Sequence, residues 1–251
     1  PHLFSSAASD VYKRQDGDDL TLTLGGTDAD SFNLSSENVL TFKEAPDYET
    51  KSSYTITLSL SDGTITVTKD ITISINNLND NPPIFTSNST LEIEENIKTI
   101  ATITASDADG SPLVFSIEDD NEIMITSDGI LSFITPADYE TKTSYSTIIK
   151  VYDGIFSTYQ TVTINVTDAN DNPPVITSSD FTPDENQSSI GTIEATDVDT
   201  NTVLTYSISG TDAEYMTVDS ESGILTFSST PDYETKNIYT VNLDVSDGLN
   251  S

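Results

Sequence analysis

The sequence has no cysteine and no tryptophan, a single histidine (His2), and nine basic residues against 42 acidic ones. Without thiols there are no disulfides, zinc–thiolate sites or thiol nucleophiles. Export stays open, because a domain with a sufficient core folds without disulfides. A formal charge of −33 argues against nucleic acid and anionic membrane surfaces as partners, since both need clustered Lys and Arg. It suits a cation. No stretch is apolar enough to span a bilayer. Most of the carboxylates form a solvated acidic surface, so only those in a recurring pattern carry information.

What is present begins with an anomaly. Residues 5–15, "SSAASDVYKRQ", resemble the translation of a sequencing-library adapter and hold the only arginine, Arg14. Residues 1–15 are set apart from the fold on that ground. The native chain is then expected to be a fragment, cut at its start and again at Ser251, and no leader or anchor is expected within it.

Beyond that point the chain repeats. "DYETK" stands at 47–51, 138–142 and 232–236, with spacings of 91 and 94 residues. In step with it run "SDG" at 61–63, "YDG" at 152–154 and "SDG" at 246–248. "EEN" at 94–96 matches "DEN" at 184–186, and "DAD" at 107–109 matches "DVD" at 197–199. "NLNDNPPI" at 77–84 matches "DANDNPPV" at 168–175. The lookalike in "GTDADSF", 26–32, aligns instead with "GTDAEYM", 210–216, so Asp28 and Asp30 read as ordinary loop residues. Asp16 reads as the remnant of the missing Asp-x-Asp.

Within each repeat the hydrophobic period is two. Tyr54, Ile56, Leu58 and Leu60 alternate with polar residues, as do Ala101, Ile103 and Ala105, and Tyr239, Val241, Leu243 and Val245. No window carries a helical stripe. About seven short strands in roughly ninety residues predict an antiparallel β-sandwich, one modest core per repeat. The expected boundaries are repeat 1 over 16–82, lacking its first strands, a complete repeat 2 over 83–173, and repeat 3 over 174–251, lacking its last.

The acidic strings have a chemistry of their own. Calcium takes six to eight hard oxygen ligands from carboxylates, amides and backbone carbonyls. An Asp-x-Asn-Asp-Asn string supplies them, with alternate side chains pointing to opposite sides of an extended segment. Proline then holds the preceding residue extended and cannot donate to a sheet. The diproline is a stiff exit that presents the oxygens between two domains.

Taken in order, "EEN" and "DEN", "DAD" and "DVD", "DYE", "SDG" and "DANDNPP" resemble the cadherin repeat. The resemblance covers residues 16–251 and is closest in character to the cadherin-type repeats of large bacterial surface adhesins. It implies an all-β, Ig-like tandem of seven-stranded Greek-key sandwiches in an elongated array, with up to three calcium ions per complete linker. Carried over residue by residue, the junction of repeats 2 and 3 would use Glu95, Asp138 and Glu140 from upstream, and Asp168, Asn170 and Asp171 from the string. Backbone oxygens of Ala169 and Asn172 join them, with Asp197, Asp199 and Asp247 from downstream. Asp171, at the centre of the string, is placed to bridge ions on both sides. The junction of repeats 1 and 2 would use Asp47, Glu49, Asn79, Asp80, Asp107, Asp109 and Asp153, with backbone oxygens of Leu78 and Asn81. It departs from the family pattern at Asn77, where aspartate is expected. Asp62, Glu185, Asp232 and Glu234 read as half-sites of junctions cut away.

Turn chemistry competes with this reading, because Asp-Gly and Asx turns need no metal. It is the better account of a single "SDG", but not of nine side chains converging on one linker. Carboxylates about 4 Å apart repel by roughly 1 to 4 kcal/mol per pair at surface-like dielectric. By resemblance the function is calcium-dependent adhesion at the cell surface, with another copy of the chain or a cell-surface ligand as contact partner. The full-length protein is then membrane- or surface-anchored. The competing reading is a passive, calcium-stiffened stalk that displays a distal domain. Enzyme activity is disfavoured, because these carboxylates recur in every repeat whereas a carboxylate-pair catalytic site is single. The sequons at Asn88, Asn165 and Asn186 are expected to be silent in a bacterial source.

Overall fold

Strand and turn residues segregate along the chain as the period-two pattern dictates. The computed structural model describes residues 19–118 and 120–251. The adapter-like segment, Asp16 and one residue of the acidic loop at 118–122 lie outside the described residues. Among the described residues there is no α-helix, only two 3-10 turns, Ala29–Ser31 and Ala213–Tyr215. No helix is long and apolar enough to cross a membrane.

The chain divides into two compact units. The first gathers the chain up to Ile84 with Ala105–Leu113 and Tyr152–Thr158. Its sheet runs Thr21–Gly25, Ser53–Ser61, Thr66–Ser74, antiparallel throughout, with Leu24 opposite Leu58 and Ile56 opposite Ile71. The hairpin Phe32–Leu34 with Leu40–Phe42 closes the other side. Phe32, Leu40 and Ile56 are buried, with Leu24, Phe42, Tyr54, Leu58, Ile71 and Ile73 packed on them. The rings of Phe32 and Phe42 stand 4.4 Å apart, and Tyr54 meets Phe42 edge-on at 5.1 Å. Thr55, Thr57 and Ser59 face outward, as the alternation requires.

The second unit gathers Phe85–Thr104, Val114–Val151 and Tyr159–Ser251. One sheet runs Val114–Ile117, Ser144–Tyr152, Ser157–Thr167, Thr90–Glu94, its last pair parallel. A second runs Ile123–Ile125, Ile130–Phe133, Thr99–Thr102. Leu131, Ile149, Val151, Val162 and Ile164 are fully buried, and the rings of Phe133 and Tyr145 meet at 4.8 Å between the sheets. Later in the unit, Ser189–Thr192, Ile224–Phe227 and Met216–Val218 form one sheet and Thr205–Ser209 with Asn242–Ser246 another. They bury Met216, Leu225 and Phe227. The fold is an all-β sandwich, as expected.

One strand differs from its sequence pattern. Ala101, Ile103 and Ala105 do not share a strand: Thr99–Thr102 ends, and Ala105–Ser106 begins after a break at Ile103. The same break recurs at Ile193, where Ser189–Thr192 pairs with Ile224–Phe227 but Ala195–Thr196 pairs with Val175–Ile176. At each break a buried isoleucine amide donates to a glycine carbonyl, Ile103 to Gly129 and Ile193 to Gly223, both at 2.8 Å. Those glycines have φ of +90° and +69°, and a Cβ would stand 2.3 Å and 2.6 Å from the isoleucine oxygens. Only glycine fits so close an approach in the left-handed region. The break sends the chain from one sheet to the other, and the Asp-x-Asp segment follows directly from it.

Candidate metal centre

No strand runs through Asn172–Pro174; the ladder stops at Thr167 and resumes at Val175. The string between them lies among carboxylates from four other segments. Glu95, in the turn after Thr90–Glu94, is 2% exposed. Its Oε2 accepts from the Tyr139 amide at 2.7 Å and its Oε1 from the Ala169 amide at 2.9 Å. One carboxylate thus ties "EEN", "DYE" and the string together. Glu185 repeats half of this contact, accepting from the Tyr233 amide at 3.1 Å.

In "DYET" the aspartate folds its own turn. Asp47 Oδ1 accepts from the amides of Glu49 and Thr50 at 3.0 and 3.3 Å, and its Oδ2 from the Thr50 hydroxyl at 2.8 Å. Asp138 with Thr141, and Asp232 with Thr235, do the same. The Thr50 hydroxyl, then its amide, holds the Asp47 carboxyl below its ordinary value. The turn presents the next glutamate: Glu95, Asp138 and Glu140 bring ligand atoms within 4.8 Å of one another, and so do Glu185, Asp232 and Glu234.

Asp199, only 5% exposed, organises the end of the string. Its Oδ2 accepts from the Asn172 amide and its Oδ1 from the Asn172 side chain, both at 2.8 Å. It belongs to two carboxylate groups within 4.8 Å, one with Glu140 and Asp168, the other with Asp197 and Asp247. Lost hydration, then the charges of Glu95, Asp168 and Asp199, push the Glu140 carboxyl up. Asp171 is exposed and outside these groups, its oxygens taken by the side-chain amides of Asn172 at 2.7 Å and Asn96 at 2.5 Å. Asn170 donates to the Asp247 carbonyl at 3.5 Å and accepts from Asn250 at 3.3 Å.

The earlier string is built on the same plan. Asp109 Oδ2 accepts from the amides of Asp80 and Asn81 at 3.1 and 2.9 Å, and its Oδ1 from the Asn81 side chain at 2.9 Å. Burial pushes Asp109 up, but these donors outweigh it and hold the carboxyl below its usual value. Glu49, Asp80 and Asp109 bring ligand atoms within 4.8 Å. Lost hydration, with the Asp109 charge behind it, raises Glu49. Leu78, expected to offer its backbone oxygen, has an exposed side chain.

The Asp-Gly aspartates serve the turn and the string at once. Asp153 Oδ1 accepts from the amides of Ile155 and Phe156 at 2.7 and 2.6 Å, while its Oδ2 is buried without a partner. Asp247 Oδ1 holds the matching turn through Leu249 and Asn250, and Asp62 Oδ1 does so through Thr64 and Ile65. At Asp153 turn chemistry accounts for one oxygen only, whereas Asp247 Oδ2 accepts from the Asn250 side chain at 3.1 Å. Among the described residues, the buried side-chain oxygens without a partner are Asn79 Oδ1, Asp107 Oδ2, Asp153 Oδ2, Asp168 Oδ1, Asp197 Oδ2 and one glutamine oxygen. All but the glutamine are residues that the motifs nominate as ligands. Buried polar atoms are nearly always paired, so such a concentration suits a positive partner. Oxygen donors in this number fit calcium.

Several residues at the site were not nominated from sequence. Thr200 donates its amide and hydroxyl to Asp168 Oδ2, and Asn96, at φ 62°, reaches Asp171. The lysine of "DYETK" has a structural task. Lys51 pairs with Asp28 and Lys236 with Asp212, while Lys142 turns to Glu122 at 2.5 Å. Each ammonium lies over a tyrosine three residues on, at 4.2 to 4.8 Å from the ring centre. The lysine hydrogen bond, then the amide of Thr55 or Thr240, holds Asp28 and Asp212 below their ordinary 3.8. A lowered folded-state value gives stability that is present above 3.8 and lost as pH falls through the lower value. The double variant K51M/K236M should therefore lose less thermal stability than the parent between about pH 5 and pH 2. Equal losses in a melting series would contradict it.

Known proteins share the repeat and its fold. Residues 180–251 match the cadherin domain model. Human protocadherin Fat 1 is 29% identical over 246 residues, covering 87% of this chain and 5% of that protein. Mouse cadherin-23 EC22–24 superposes with a TM-score of 0.62 at 26% identity, covering 95% of this chain and 84% of that one. The protocadherin gammaB7 EC3–6 cis-dimer structure shares the fold, with a TM-score of 0.71 at 18% identity, over 93% of this chain and 63% of that one. The ordered motifs, the sandwiches they build and the matched domain make this a chain of the cadherin repeat family.

Proposed function

We propose that calcium, held at the strings 77–81 and 168–172, fixes the angle between successive repeats of an extracellular adhesion protein. Adhesion-type function outside the cell comes with the family. Calcium is the finer reading, and the buried, unpartnered oxygens of Asn79, Asp107, Asp153, Asp168 and Asp197 carry it. The later linker would use Glu95, Asp138, Glu140, Asp168, Asn170, Asp171, Asp197, Asp199 and Asp247. The earlier one would use Asp47, Glu49, Asn79, Asp80, Asp107, Asp109 and Asp153. Backbone oxygens of Leu78, Asn81, Ala169 and Asn172 complete the two sets, and Asp62, Glu185, Asp232 and Glu234 serve further junctions. Repeats meet at Pro82-Pro83 and Pro173-Pro174. The ion supplies positive charge shared by ligands from both flanking repeats. The chain's own part is to hold its carboxylates in register through Glu95, Asp109 and Asp199.

The chain spans 5% of protocadherin Fat 1, and the other reading of its repeats is a passive, calcium-stiffened stalk that displays a distal domain. The two readings part on one test. If adhesion lies in these repeats, beads coated with the protein cluster in millimolar calcium and disperse in chelator. Beads that stay dispersed in both leave the repeats as a stalk.

A further inference from the structure

The two acidic strings differ at their first position, and the difference reaches into the fold. In the later string Asp168 turns Oδ2 to Thr200, which leaves Oδ1 buried and unpartnered. Glu140 and Asp199 stand with it, ligand atoms within 4.8 Å. In the earlier string the matching residue is Asn77, and the position matching Thr200 is Gly110, which has no hydroxyl to give. Asn77 is exposed, and its side-chain amide donates to the Asp109 carbonyl at 2.8 Å. The matching trio there is Glu49, Asp80 and Asp109, with Asp80 standing in for the first residue of the string. Asp80 is exposed, and its Oδ1 already accepts from Asn81 at 2.9 Å.

Resting on the calcium reading above, we infer that the two linkers fill at different calcium concentrations, and that Asn77 widens the gap. The string 168–172 fills first. Affinity at oxygen sites is tuned by the charge count of the ligands. The earlier set names six carboxylates against eight, one short for want of a counterpart to Glu95 and one because position 77 is a neutral amide. Asn and Asp are nearly the same size, so packing does not explain the difference. A band of calcium concentration then exists in which the later linker is held and the earlier one is free. The chain stiffens in two steps.

A site-resolved titration tests this. The protein, isotope-labelled and stripped with chelator, is titrated with calcium alone while the backbone amides of Asn81 and Asn172 are followed by NMR. Asn172 should reach its midpoint at calcium about fivefold or more below Asn81. Asn77→Asp should lower the Asn81 midpoint by about five- to tenfold, and Asp168→Asn should raise that of Asn172 by a similar factor. Coincident midpoints in the parent, or an Asn81 midpoint unmoved by Asn77→Asp, overturn the inference and leave the calcium reading standing. If neither amide responds up to about 10 mM calcium, both fall together.

Discussion

Replacing Asp199 with alanine is expected to weaken calcium binding at the string 168–172 by about 100-fold or more, near 2.8 kcal/mol at 1.4 kcal/mol per tenfold. Asp199 belongs to both the Glu140–Asp168 group and the Asp197–Asp247 group. It also holds Asn172 through its amide and its side chain. The substitution therefore removes charge from two groups and frees the last residue of the string. The sandwich should survive, because the core residues Met216, Leu225 and Phe227 lie in other segments. Calorimetric titration of the variant, with circular dichroism to verify the fold, reads both effects. Asp171→Ala is the informative comparison, since Asp171 is exposed and bound only by asparagine side chains. A larger loss at Asp171 than at Asp199 would return the centre of the linker to the middle of the string.

Most of this fold is legible in the sequence, because motifs that recur in register leave few alternatives. The alternation at Tyr54 to Leu60 reads directly as the strand Ser53–Ser61. The break at Ile103 does not read, because apolar and polar residues continue to alternate across it. Its cause lies about 26 residues away, in the approach of Gly129 to the Ile103 carbonyl. A local pattern carries no trace of a contact so distant in the chain.

The site divides along the same line. Glu140, Asp168, Asp197, Asp199 and Asp247 were nominated by motif order and now share carboxylate groups. How each aspartate divides its two oxygens was not readable. Asp153 gives one to the Ile155 and Phe156 amides and keeps the other buried and free. From sequence these looked like rival explanations of one residue. Thr200 and Asn96 gave no signal, since a lone threonine or asparagine in an acidic loop is ordinary surface composition. From sequence the lysine of "DYETK" reads only as part of a repeat, yet it locks Asp28 and Asp212 through contacts more than twenty residues back. Its partner in the middle repeat is Glu122, so the partner's identity does not follow the repeat.

The central claim is that the unpartnered oxygens at the two strings are calcium ligands. It is tested most directly by counting ions. The protein, freed of metal by chelator, is titrated with calcium at physiological salt in a calorimeter, beside the double variant Asp109→Ala/Asp199→Ala. The account predicts saturable binding of more than one ion per chain, with midpoints in the range of about 10⁻⁴ to 10⁻³ M found for extracellular modules, and loss of that binding in the variant. Failure to saturate below about 10 mM calcium, or equal binding by parent and variant, would contradict it.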